Sequence, residues 1–128
     1  MDVDVREGLL YTDDHEWLRV EGDTGVVGIT AYAAEQLGDV VFVELPQVGR
    51  TLERAEAFGV VESVKAVSDL FAPVPGQVLE VNGELNAHPE LIDSDPYGQG
   101  WIMRIRIADE GATTELKDAA AYRALIGA

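Results

Sequence analysis

Cysteine is absent from this 128-residue chain, which excludes disulfide staples, a thiolate nucleophile and every thiolate metal site. Any sulfur chemistry performed here has to use a sulfur brought in from outside the chain. The absence also fits a reducing compartment. Positive charge is scarce: nine lysines and arginines face 24 aspartates and glutamates, for a formal net charge of -15. That balance argues against nucleic acid as a partner, since neutralising phosphates takes basic residues that are lacking, and equally against an anionic membrane surface. The favoured partners are proteins with basic docking faces, reached faster through electrostatic steering. Long apolar runs are missing too. None approaches the ~20 residues a membrane helix needs, and the acidic start Met1–Glu7 has no apolar segment of a signal peptide. The expectation is a single soluble, cytoplasmic domain.

The usual catalytic patterns are missing as well. Ser63 stands between Glu62 and Val64 rather than in a Gly-x-Ser-x-Gly elbow. Gly98-Gln99-Gly100 is too short to cradle a phosphate. Asp93-Ser94-Asp95-Pro96-Tyr97-Gly98 imitates the start of a calcium loop but has Tyr97 at a ligand position and Arg104 where the closing glutamate belongs. Asp13-Asp14-His15-Glu16, even joined by His88, matches no standard metal-ligand spacing. The chain does not read as an enzyme or a metal protein.

What is present is a succession of short strand-forming runs. Leu9–Tyr11, Trp17–Val20, Gly25–Ile29, Val40–Leu45, Val78–Val81 and Ile102–Ile107 are separated by turn residues, a spacing that favours a sandwich or barrel over an α/β sheet. Pro75-Gly76 suits the middle of a type II turn. Ile102–Ile107 alternates apolar and basic residues, as a strand with one wet face does. Two helices interrupt the pattern: Ala31–Leu37, capped by Thr30 and stopped by Gly38, and Ala119–Ile126, capped by Asp118 and closed by Gly127. A short helical turn around Pro89–Ile92 is a weaker expectation. Glu44-Leu45-Pro46, leading to Gly49 and Leu52, is faintly echoed by Glu80-Val81-Asn82, leading to Gly83 and Leu85.

Lys65 is one of two lysines, and strand formers flank it: Val60, Val61 and Val64 before, Val67, Leu70 and Phe71 after. A reversal near Lys65 and Ala66 would hold one primary amine at the tip of a hairpin, suited to carrying something. The bland alternative is a lysine that guards a strand end against aggregation. Glu62 and Asp69 lie three residues before and four after it.

The segment Val60–Gly76 resembles the lipoylation site of the glycine cleavage system H protein family. His15-Glu16-Trp17, Gly28-Ile29-Thr30, Leu37–Pro46 and Asp95–Trp101 resemble that family in the same order, so the likeness covers residues 9–107, with a looser match in the C-terminal helical region 113–127. It implies a mainly β, lipoyl/biotinyl-type barrel-sandwich hybrid of two quasi-symmetric small sheets with short peripheral and C-terminal helices, one lipoyl-carrier domain over residues 1–128. It further implies a non-catalytic carrier with lipoic acid amide-linked to Lys65. Such an arm shuttles the aminomethyl group of glycine from the pyridoxal-phosphate glycine decarboxylase (P protein) to the tetrahydrofolate-dependent aminomethyltransferase (T protein). Dihydrolipoyl dehydrogenase (L protein) then reoxidises it. Gly49, Glu62, Asp69 and Gly76 match positions that affect recognition by the lipoate-attaching enzyme, the glycines by setting turns and the acids by orienting the target. Glu16 and Asp69 match the cleft where the loaded arm rests, and a monomer is implied.

Some residues depart from the pattern. Ala31 replaces a common aspartate, and Arg104 and Arg106 replace common lysines; none touches the attachment motif. Biotin carriers place methionines beside their lysine, whereas Val64 and Ala66 flank Lys65. Lipoyl domains of 2-oxoacid dehydrogenases usually have an acidic residue just before it.

Overall fold

The computed structural model describes residues 3–128. Nine strands dominate it: β1 Leu10–Tyr11, β2 Glu16–Glu21, β3 Thr24–Ile29, β4 Val40–Glu44, β5 Thr51–Leu52, β6 Ala57–Ser63, β7 Val67–Phe71, β8 Gly76–Val81 and β9 Met103–Ile107. They form a six-stranded sheet in the order β1-β2-β3-β9-β8-β5 and a three-stranded sheet in the order β4-β6-β7. All of their pairings are antiparallel.

Four short α-helices, α1 Ala31–Leu37, α2 Glu84–Ala87, α3 Leu91–Ser94 and α4 Ala119–Ile126, sit around the sheets, with a 3-10 turn over Glu110–Glu115. The fold is the mainly β, barrel-sandwich arrangement that the resemblance implies.

The inward faces of both sheets meet in one core that includes Leu18, Val27, Val43, Val61, Leu70, Val78, Met103 and Ile105. A second cluster holds Tyr11, Trp17, Val26, Tyr97 and Tyr122 on the other side of β2 and β3. β2 is therefore buried on both faces: Leu18 enters the main core, while Trp17 points the opposite way and donates its indole N–H to the Pro96 carbonyl at 3.0 Å. α4 closes this second cluster, its Tyr122 stacked on Tyr11 with ring centroids 4.5 Å apart.

Local chemistry explains the helix ends. The Thr30 hydroxyl accepts from the Ala33 N–H and Gly38 ends α1 at a φ of 79°, where glycine carries no Cβ penalty. Asp118 accepts from the Ala121 N–H, and Gly127 closes α4 in the left-handed region. On β9, Met103, Ile105 and Ile107 are buried while Arg104 and Arg106 reach out to Glu21 and Asp23.

Three local expectations are corrected. Pro75-Gly76 is not a type II turn, because Gly76 lacks the positive φ such a turn requires; it starts β8 instead. A Cβ there would stand 2.1 Å from the Arg106 carbonyl oxygen, so glycine is needed for the close approach of β8 to β9. The helical turn around Pro89–Ile92 forms two residues later, as α3, and α2 precedes it. The sequence echo does not extend to conformation: Leu52 lies on β5 and Leu85 on α2, although both are buried.

Candidate functional site

β6 and β7 form a hairpin joined by Val64-Lys65-Ala66, with Glu62 opposite Val67. Ser63 builds the turn. Its N–H donates to the Ala66 carbonyl at 2.8 Å, and its hydroxyl oxygen accepts from the backbone N–H groups of Lys65 at 3.3 Å and Ala66 at 3.0 Å. A serine that satisfies successive backbone donors in this way stabilises a tight turn. The Val64 N–H donates to the Asp39 carbonyl at 3.1 Å, which ties the tip to the junction of α1 and β4.

Lys65 is exposed at this tip, and its Cε lies 3.3 Å from the position a Cβ on Gly38 would occupy. Its charge is unmatched. All seven arginines and Lys117 make ion pairs with carboxylates, and Lys65 is the one lysine or arginine without an ion pair among the described residues. In a chain of net charge -15 partners of opposite sign are abundant, yet none sits on Lys65. Val64 on one side is 72% exposed and Val67 on the other 68%.

A cleft of about 480 Å³ opens beside the hairpin, between α1 and β7. Its walls include Tyr32, Ala33 and Leu37 of α1, Ala66, Ser68 and Asp69 of the hairpin, and Asp14, His15 and Glu16. A cleft of this size, mixed in polarity and starting next to an exposed amine, has room for a flexible chain attached to that amine.

Glu16 is 2% exposed. Its carboxylate accepts from the Thr12 hydroxyl at 2.6 Å and the Phe71 N–H at 3.3 Å. Burial, with Asp14 adding a smaller push in the same direction, outweighs these bonds and raises its pKa to about 8. Glu16 is thus a buried acid at the edge of a cleft, able to become a charged partner for a cation brought in from outside.

His15, at a φ of 72°, shares a hydrogen bond of 2.8 Å between its Nδ1 and the Tyr122 hydroxyl. That hydroxyl is also 2.8 Å from the Thr30 hydroxyl. Burial pushes the Tyr122 phenol up to about 12, so it remains a neutral hydroxyl at physiological pH. Through Tyr122, α4 fixes both the cap of α1 and the His15 wall of the cleft.

The structure brings Glu16 and Asp69 to one cleft, and puts Glu62 and Asp69 on the two strands that carry Lys65. It sets Gly49 and Gly76 elsewhere. Gly49, at a φ of 93°, donates its N–H to the Val78 carbonyl at 2.7 Å, and Gly76 lies on β8, both next to the β5–β8 pair of the six-stranded sheet. Gly49 does set a turn; Gly76 does not.

Three contributors escaped sequence reasoning. Ser63 lacks a nucleophile's sequence context, yet a serine three residues before the end of a turn is a recognised backbone acceptor. Gly38 reads in the sequence as a helix stop, with nothing to link it to Lys65. Tyr122 is 92 residues from Thr30, and no local signal connects them. Among the described residues no group of three or more His, Asp and Glu is placed to hold a metal, and no helix is long and apolar enough to cross a membrane.

The family model for the glycine cleavage H-protein matches residues 9–128. The chain is similar to the glycine cleavage system H proteins of Bradyrhizobium diazoefficiens, 59% identical over 115 residues and covering 90% of this chain and 94% of the relative. It is similar to that of Symbiobacterium thermophilum, 57% identical over 122 residues with 95% of each chain covered. A crystal structure of a glycine cleavage system H protein from Mycobacterium marinum superposes with a TM-score of 0.89 at 43% identity, covering 97% of this chain and all of that one. The chain therefore belongs to the glycine cleavage H-protein family, the non-catalytic lipoyl carriers of the glycine cleavage system.

Proposed function

We propose that Lys65 is the attachment point of a lipoyl arm. The chain would then carry the aminomethyl group of glycine between glycine decarboxylase, aminomethyltransferase and dihydrolipoyl dehydrogenase, as a cytoplasmic monomer of one domain. The observation that supports this best is the unpaired Lys65 amine at the tip of a rigid hairpin that borders a cleft. When bound, the lipoyl group supplies a reducible disulfide that a cysteine-free chain does not possess.

The chain's own residues supply position and shelter. Ser63 and the Val64–Asp39 bond hold the tip still, which confines an attached arm to a small volume around the hairpin and raises its effective concentration at a docked active site. The α1–β7 cleft offers a place away from water. Glu16 and Asp69 at its walls provide carboxylates for an amine-bearing cargo. Glu62, beside the tip, and Asp69 offer acidic marks for the lipoate-attaching enzyme; Gly49 and Gly76 would support recognition only indirectly, through the shape of the neighbouring sheet.

The test is intact-mass spectrometry with peptide mapping on protein made in cells that supply lipoate. A lipoyl adduct is expected on Lys65 and not on Lys117. Lys65→Arg keeps the charge but cannot form the amide, so it should fold normally and lose all glycine cleavage activity. Retained activity would overturn the assignment.

A further inference from the structure

The α1–β7 cleft has to admit a positively charged cargo, and its walls are charged to suit. Asp14, Glu16 and Asp69 line it, and among the described residues no lysine or arginine does. Lys65 itself becomes neutral on acylation. One wall residue can still carry a positive charge: His15, which Asp14 and Asp13 on its own loop pull towards the imidazolium. Tyr32 of α1, its ring centroid 4.9 Å from that of His15, and Tyr122 of α4 meet the ring with phenols rather than charges.

Hydrogen-bond counting decides the state of His15. Its Nδ1 lies 2.8 Å from the Tyr122 hydroxyl, which lies 2.8 Å from the Thr30 hydroxyl. Thr30 and Tyr122 have no exposed surface, so each hydroxyl proton needs an acceptor inside the fold. The Thr30 oxygen accepts from the Ala33 N–H at 3.2 Å, and the Thr30 proton has one acceptor among the described residues, the Tyr122 oxygen. Once Thr30 donates to Tyr122, Tyr122 donates to Nδ1, and the imidazole proton resides on Nε2.

The opposite direction, from an Nδ1–H through Tyr122 to Thr30, strands the Thr30 proton in the core. Protonating the ring forces that direction, because both nitrogens of an imidazolium are donors. Burial pushes the same way and lowers the His15 pKa from its ordinary value, despite Asp14 and Asp13. Tyr122 takes the Nδ1 edge of the ring and does not line the cleft. The edge left for the cleft carries Nε2–H.

We propose that Thr30 and Tyr122 are positioning residues that lock His15 as a neutral Nε2–H donor in the cleft wall, which makes the cleft selective for an ammonium-bearing cargo. The inference rests on the reading of Lys65 as the lipoyl acceptor and deepens it. The carboxylates attract the cargo, and the relay keeps the ionisable base beside them from repelling it. The C-terminal helix thereby takes part in the chemistry of the cleft, since the middle group of the relay sits on α4.

Two experiments test this. The first reads the imidazole nitrogens of the unmodified full chain by long-range proton–nitrogen NMR. His15 is expected to be protonated on Nε2 alone and to stay neutral through the range in which a free imidazole takes up a proton. Tyr122→Phe removes the donor to Nδ1 but keeps the ring that stacks on Tyr11, so the Nδ1 resonance should move downfield. Tyr11→Phe removes a hydroxyl from the same stack that bonds only the backbone of Arg6, and it should leave the His15 resonances unchanged. A proton on Nδ1 in wild type, or titration of His15 like a free imidazole, would overturn the relay whatever the state of Lys65.

The second experiment reduces the lipoyl arm with a phosphine and loads it with formaldehyde and ammonia. The S–C and C–N bonds of an aminomethyl thioether form and one water leaves. Hydrolysis, the reverse reaction, is followed by release of formaldehyde. His15→Gln keeps a neutral donor, whereas His15→Lys introduces a fixed cation on the same backbone. The cargo is expected to hydrolyse about tenfold faster in His15→Lys than in wild type, and close to the wild-type rate in His15→Gln. Equal lifetimes in the two variants, long or short, would overturn selection by charge. Absence of a lipoyl adduct on wild-type Lys65 would overturn the acceptor reading, and with it the part of the proposal that concerns cargo, and would leave the relay to stand or fall on the nitrogen spectra.

Discussion

Lys65 lies across Gly38: its Cε is 3.3 Å and its Nζ 3.9 Å from the point where a Cβ on Gly38 would stand, at the C-terminal end of α1. The amine of the hairpin thus rests against the helix that walls the cleft. Gly38 has a φ of 79° and a ψ of -147°, a conformation open essentially to glycine. Gly38→Ala is therefore expected to destabilise the fold by about 1–3 kcal/mol and to displace the Lys65 side chain. Denaturant melts and the NMR shifts of the Lys65 ε-methylene would read both effects.

Ser63→Ala keeps the backbone bond from Ser63 to Ala66 but removes the acceptor for the Lys65 and Ala66 amides. The expected cost is about 1 kcal/mol, confined to the hairpin. Hydrogen exchange at those two amides should accelerate while exchange in β2 and β9 is unchanged, and lipoylation should slow because the target is less rigid. Unaltered exchange at the tip would show that the serine does not organise the turn.

Glu16 makes stability depend on pH in a defined direction. Unfolded, its carboxyl loses its proton near the ordinary value of 4.5; folded, it holds it up to about 8. Between these values the native state binds more protons, so stability falls as pH rises and levels off above about 8, with a slope of at most about 1.4 kcal/mol per pH unit. Glu16→Gln removes this titration. The variant should gain on the wild type steadily across that window in parallel denaturant melts. An unchanged slope would mean that Glu16 is already ionised in the empty cleft. An ammonium entering the cleft favours the charged form and should release the proton.

Gly49 and Gly76 should respond differently to alanine. At Gly49 the added methyl meets nothing within 4 Å, and the penalty comes from its φ of 93° alone, about 1 kcal/mol. At Gly76 the Cβ would stand 2.1 Å from the Arg106 carbonyl oxygen and 2.8 Å from Ile105 Cγ1, so β8 and β9 would have to part. A loss of about 3 kcal/mol or more is expected there. Thermal or denaturant melts decide, and a reversed ranking would refute this account of Gly76.

Sequence alone is sufficient for every strand except the two-residue β5, for the two capped helices and for the hairpin around Lys65, because each depends on neighbours within a few residues. Thr30 and Gly38 delimit α1 where their chemistry predicts, and so do Asp118 and Gly127 for α4. The alternation of Met103–Ile107 is the alternation of buried and outward faces on β9, while Ile102 just before it is buried too.

Sequence could not specify which distant groups would meet. The Pro75-Gly76 pair has the composition of a type II turn, but the approach of β9 imposes an extended conformation on Gly76. Phe42 belongs inside by simple alternation, and a bulge whose origin is the pairing of β4 with β6 turns it out. Glu16 reads as an ordinary acid until β7 and Thr12 enclose it. Tyr122 reads as a helix residue until His15 and Thr30 arrive from the far end of the chain. Local backbone preferences and side-chain caps act over a turn or two and are written in the sequence. Burial, cleft shape and the isolation of the Lys65 charge arise from contacts between segments far apart in the chain, and only the tertiary structure decides those.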